Sequence, residues 1–166
     1  MRFELKPLSH SAIPAALDRA HLYRLLNEPW QAESICEDVL RVDPRNQTAL
    51  VTLLLAITDQ FGARVSSGRA RDVLSRINGE YERAYYAGII SERSARARMR
   101  QGLPGSNFKA YEELREAMRC YEGAEALRLA GNDDAVLRWN TCARTLAGNH
   151  ELRPQPEEVL VPILDD

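Results

Sequence analysis

Lysine is nearly missing from this chain. Of 22 basic residues only Lys6 and Lys109 are lysines, and the rest are arginines. Aromatic residues make up only 7% of 166 residues, and cysteine occurs three times, as Cys36, Cys120 and Cys142. The odd number and the lack of a CxxC pair exclude a disulfide framework and a cysteine-based zinc site. Each cysteine falls in an apolar helical pattern, where a free thiol behaves as a small core residue. The longest apolar run, Val51 to Ile57, is far shorter than the ~20 residues needed to span a bilayer. MRFELKPLSHSA at the N-terminus has no apolar stretch of the secretory type. A reduced, cytoplasmic setting without a membrane partner is therefore expected.

Chemistry-bearing motifs are missing too. There is no phosphate-binding, dinucleotide-binding, HExxH or GxSxG pattern, and His10, His21 and His150 have no His or Cys partner at ligand spacing. No catalytic residue, metal ligand or cofactor is predicted, and the chain reads as a protein that is not an enzyme. A formal net charge of -2 argues against a nucleic-acid partner.

What is there is helical periodicity. The chain is 45% hydrophobic and 28% charged, which suits one globular domain with a sizeable core. Residues 1–11 read as an extended arm whose Phe3, Leu5 and Leu8 pack against the first helix. Residues 12–147 carry the helices, and residues 148–166 form an extended tail with three prolines. Ser11 is the expected N-cap of a first helix with Pro14 in its first turn and a stripe of Leu17, Ala20, Tyr23 and Leu26. Asn27-Glu28-Pro29 breaks it. Ala32, Ile35, Cys36, Val39 and Leu40 mark a second helix, closed by Val42-Asp43-Pro44.

Ala20, Tyr23, Ala32 and Pro44, together with the DPRN ending at Asp43 to Asn46, resemble the tetratricopeptide repeat, a helical hairpin of about 34 residues. Cys36 stands where that family has a large aromatic. The resemblance is clearest over residues 12–79 and implies an all-α, right-handed superhelix of stacked antiparallel hairpins. Gln47 to Phe61 opens the next hairpin, with a large Leu54 where the family has a small residue. A long loop, Gly62 to Gly68, precedes its partner helix, which stops at Asn78-Gly79.

An Ala-x3-large-x2-apolar pattern recurs at Ala32, Ala70, Ala110 and Ala135, with separations of 38, 40 and 25 residues. The last gap is too short for a full pair, so three hairpins plus one capping helix are predicted. Glu80 to Gln101 begins the third, with Gly88 allowing a close crossing. Gly102 to Ser106 breaks the chain, and a further helix from Asn107 reads equally as one helix or two. Gly131-Asn132 turns into the last helix, Asp134 to Leu146, capped by Asn132 or Asp133. The terminal helix covers an end face, as stacked repeats require.

The resemblance implies a concave groove lined by the first helix of each pair, suited to an extended peptide or a partner helix. The predicted groove residues are Arg24, Asp59, Tyr85, Tyr86, Glu92, Arg93, Arg96, Arg138, Trp139 and Asn140, with His21, Leu25 and Thr58 beside them. Tyr, Trp and Arg together offer broad contact and directed hydrogen bonds. Some family members clamp a partner's C-terminal carboxylate, but Leu17, His21, Thr52 and Leu55 stand at those positions here, so that clamp is not expected. Carboxylates such as Glu28, Glu37 and Asp38 read as solvated partners of nearby arginines.

Three functions follow, in order of preference. The first is an adaptor or scaffold that binds a protein or peptide in the groove. The second is a self-associating subunit, a homo-oligomer joined through the tail, whose Val159 to Leu164 run otherwise packs along the last helix. The third is a small-molecule sensor or enzyme with a pocket between Tyr85, Tyr86, Glu92 and Arg93.

Overall fold

The computed structural model describes residues 3–62 and 66–156, and within them the chain is all-α. Seven helices follow in order: α1 (Ile13–Leu25), α2 (Pro29–Val42), α3 (Gln47–Asp59), α4 (Ser67–Leu74), α5 (Glu80–Gln101), α6 (Ser106–Leu127) and α7 (Asp134–Ala147). Each packs against the next, and α3 also touches α1 and α5. No helix among the described residues is long and apolar enough to cross a membrane.

The helix boundaries follow local chemistry. Ser11 does not cap α1, because His10–Ala12 form a 3-10 turn and Ala12 takes the capping position without a side-chain bond. Asn27 adopts a left-handed φ of 59°, which a short polar side chain tolerates, and Pro29 then opens α2. The Asn46 side chain accepts from the Ala49 amide at 2.9 Å and so caps α3.

The helix expected to reach Asn78-Gly79 ends at Leu74 instead. Ser75 donates to the Asp72 carbonyl at 2.7 Å, and the amides of Arg76 and Ile77 turn back to Val73 and Leu74 at 3.0 Å each. These bonds over three residues tighten the chain, because a serine hydroxyl competes with the helical ladder. Ile77 is still buried, but it reaches the core from a turn. Gly102, at φ 62°, closes α5 in the left-handed conformation that favours glycine. Helix α6 runs unbroken through Gly123 and stops at Leu127, where Arg128 turns extended, so this segment is one helix. Asn132 accepts from the Asp134 amide at 3.2 Å and starts α7.

The four pattern alanines, Ala32, Ala70, Ala110 and Ala135, are all fully buried. Two apolar clusters build the interior. The first joins α1 to α4 and includes Leu50, Leu54 and Ile57, with Ile90 and Ala97 from α5. The second joins α6 and α7 around Leu114, Met118, Tyr121 and Cys142, with Ala95 from α5. Helix α5 is thus the wall shared by both. Its contact with α6 is close at Gly88, where an added Cβ would lie 2.5 Å from a Tyr121 ring carbon.

The arm and tail differ from expectation. Only Leu8 of the arm packs on the core, whereas Phe3 and Leu5 are exposed. Leu152 of the tail is buried in the second cluster, and Asn107 donates to Glu151 at 2.8 Å, fixing the tail near the start of α6. The Val159 to Leu164 run lies outside the described residues, as does Ala63 to Val65 of the Gly62 to Gly68 loop.

Candidate interaction surface

Side chains from α1, α3, α5 and α7 form a polar row of two bonded groups, brought next to each other by the adjacent residues Glu92 and Arg93 of α5. It begins with Arg24 of α1, whose Nε donates to Asp59 Oδ2 at 2.7 Å. From the other side, Arg93 of α5 donates to Asp59 Oδ1 at 2.6 Å. The same Arg93 nitrogen also reaches the Thr58 hydroxyl at 2.7 Å and the Leu55 carbonyl at 3.0 Å. Burial lowers the Arg93 pKa from the ordinary arginine value, with the Asp59 charge working against the shift. This one guanidinium therefore fastens α5 to the C-terminal turn of α3.

The row continues through Glu92. Its carboxylate is 1% exposed, yet it has a full set of partners. Tyr121 donates its hydroxyl to Oε2 at 2.7 Å, Arg96 donates Nε to Oε1 at 3.1 Å, and Arg138 of α7 lies 3.4 Å from both oxygens. A buried carboxylate is costly unless it is paired and hydrogen-bonded, and here it is both. Burial disfavours the Arg138 charge, but Glu92 and the neighbouring Tyr85 hydroxyl outweigh it and hold the Arg138 pKa above the ordinary value. Burial together with the Glu92 charge raises the Tyr121 phenol, so it stays a protonated donor.

Tyrosines flank the row. Tyr81 and Tyr85 stack with ring centroids 5.8 Å apart, Tyr86 meets Tyr85 edge-on at 5.2 Å, and Tyr121 tilts against Tyr85 at 5.9 Å. Tyr85 packs on the second apolar cluster and Tyr86 on the first, each half-buried. At the other end, His21, Arg24, Leu25, Asn27, Pro29 and Asp59 line a depression of about 340 Å³.

Of the predicted groove residues, Arg24, Asp59 and Arg93 form one bonded group and Glu92, Arg96 and Arg138 a second, and Tyr85 sits beside Arg138. Glu92 is the correction: it is sealed beneath the arginines and offers no oxygen to a ligand. Trp139 is half-buried in the second cluster and donates to Glu122 of α6 at 2.8 Å, which ties it to α6 rather than to the row. Asn140 is half-buried on α7. Tyr121, absent from the predicted set, anchors the Glu92 group from beneath. Its sequence signals are its place in the apolar stripe of Leu114, Met118 and Tyr121, and Gly88 on the facing helix, the small residue that lets its ring approach. Leu17 and Thr52 are buried in the first core, so two of the positions named for the carboxylate clamp face inward.

The thiols show a further difference. Cys36 and Cys142 are buried, and burial pushes each up to about 12. Cys120 is only half-buried, with its sulfur 3.7 Å from Glu116 Oε1; burial pushes it up to about 11. Among the described residues no group of His, Cys, Asp or Glu is arranged to hold a metal ion. No protein-family model, curated protein or solved structure matches the chain.

Proposed function

We propose that this chain is a protein-interaction module, a tetratricopeptide-like stack that binds an extended segment of a partner protein along the face formed by α1, α3, α5 and α7. The observation that carries this reading is the row itself. Residues from four helices, distant in sequence, converge on one face and leave Arg96 and Arg138 partly open, with side chains 39% and 35% exposed. Half-buried Tyr85 and Tyr86 lie next to that row and add flat, rigid contact area at low entropic cost. Irregular spacing of the hairpins is compatible with such a stack, because each unit contacts only its neighbours. A cytoplasmic, non-enzymatic role fits the same reading.

Affinity capture from native cell lysate tests it. His21→Ala combined with Arg24→Ala and Tyr86→Ala should remove the captured partner, while Glu116→Ala with Arg119→Ala on α6 should retain it. Thermal melts of both variants accompany the capture. A partner that persists through the triple change in a folded protein would refute the surface assignment.

A further inference from the structure

The row has more hydrogen-bond donors than acceptors. Both oxygens of Asp59 are engaged by Arg24 and Arg93, and both oxygens of Glu92 by Tyr121, Arg96 and Arg138. Four guanidiniums thus face two carboxylates, and every carboxylate oxygen already accepts from at least one of these donors. Each guanidinium carries five donors and no acceptor. Arg96 uses only Nε on Glu92, so neither of its Nη groups has a protein acceptor among the described residues. Arg138 spends Nη1 on the same carboxylate and has the Tyr85 hydroxyl beside it. Within these bonded groups the surplus is two positive charges; Glu82 and Asp134 lie near Tyr81 and Tyr86, with Asp134 one helical turn before Arg138, and neither acid bonds to a guanidinium of the row.

Arg96 and Arg138 also share one anchor. Both reach Glu92 Oε1, at 3.1 and 3.4 Å, so a single buried oxygen gathers two guanidiniums from α5 and α7. Such tethering removes side-chain freedom before any ligand arrives, and a fixed pair of planar forks matches a two-oxygen anion.

We infer that Arg96 and Arg138 form an oxyanion site, and that the partner segment bound on this face is acidic, with one carboxylate or phosphate group lying across the two guanidiniums. The inference deepens the interaction-module reading and rests on it. Glu92 and Tyr121 position the arginines and do not touch the ligand. Asp59 spaces Arg24 and Arg93 in the same way toward the α1 end, so successive acids of an extended peptide meet successive cations.

Fluorescence anisotropy on the full chain tests this with three labelled decamers: alternating Glu and Gly, the same peptide with phosphoserine for Glu, and the same with Gln. The Glu and phosphoserine peptides should bind and the Gln peptide should not; whichever charged form binds more tightly identifies the source of the oxyanion. Arg96→Gln and Arg138→Gln should each weaken binding about tenfold, as expected for loss of a charge-assisted bond. Arg138→Lys keeps the charge but loses the fork, so it should still weaken binding several-fold, which a purely electrostatic role would not produce. Arg119→Gln, on α6, should bind as the parent does. Equal binding of the Gln decamer, no binding of either charged decamer, or affinities unchanged in both arginine variants would overturn the inference. The capture experiment with His21, Arg24 and Tyr86 leaves Arg96 and Arg138 intact, so it can succeed or fail independently.

Discussion

The Tyr121 hydroxyl donates to the Glu92 carboxylate at 2.7 Å inside the contact between α5 and α6, the only fully buried side-chain hydrogen bond among the described residues. Arg96 and Arg138, the two half-open guanidiniums of the row, are both held by the Glu92 carboxylate of this pair. Tyr121→Phe keeps the ring and leaves a buried carboxylate one donor short, at a cost of about 1–3 kcal/mol. Urea denaturation of Tyr121→Phe, Glu92→Gln and the double variant should give a coupling energy of about 0.5–3 kcal/mol. Strict additivity would show that the bond contributes nothing.

Gly88 and Gly123 make a matched comparison on the same pair of helices. Alanine at 88 would place its Cβ 2.5 Å from the Tyr121 ring, whereas nothing lies within 4 Å of the corresponding Cβ at 123. Gly88→Ala should therefore destabilise by about 1–3 kcal/mol through overpacking. Gly123→Ala should stabilise by up to about 1 kcal/mol through helix propensity alone. Denaturation midpoints that move in the same direction for both would contradict the close-crossing account.

Arg93 holds α3 and α5 together through three acceptors on one nitrogen. Arg93→Ala leaves the buried Thr58 hydroxyl without that donor and the Asp59 carboxylate with Arg24 alone. A loss of about 1–3 kcal/mol is expected. Faster amide hydrogen exchange should appear at the C-terminal turn of α3 and the facing turn of α5, with the α6–α7 pair unaffected. Uniform acceleration along the chain would mean that Arg93 has no local fastening role.

The buried thiols set an alkaline limit. Burial pushes Cys36 and Cys142 from 9.0 up to about 12. Above pH 9 the unfolded chain loses these protons while the native chain keeps them, so the native state binds more protons. Stability is then flat below pH 9 and falls between pH 9 and 12. The raised Tyr121 phenol acts in the same direction. Each thiol contributes a slope of up to about 1.4 kcal/mol per pH unit in that window. Urea titrations at pH 8 and 10.5 should show the fall, and Cys142→Ala should show less of it. Equal slopes in parent and variant would exclude this thiol as a source.

The order of the helices was readable because small residues are needed wherever two helices cross closely. Ala32, Ala70, Ala110 and Ala135 obey that need, and all four are fully buried. The breaks at Asn27-Glu28-Pro29 and Gly102 to Ser106 were readable for a similarly local reason, since their backbone geometry suits only a few residue types. The early end of α4 was not readable, because it depends on a Ser75 bond that competes only weakly with the helix. The burial of Glu92 was hidden for a different reason. Within ERSARARMR it looks no different from any solvated acid, and what buries it is Tyr121, 29 residues away, and Arg138, 46 residues away. Cys120 likewise belongs to an apolar pattern by spacing but is only half-buried, beside Glu116.

Helix α5 supplies Ile90 and Ala97 to one core and Ala95 to the other. During synthesis the first four helices emerge with one flank open to water, and that flank closes only when residues past Ile90 have left the ribosome. The last two helices, in turn, have nothing to settle on until α5 is in place. A break at Gly79 would leave the front half without Ile90 and Ala97 and open to water the flank they cover.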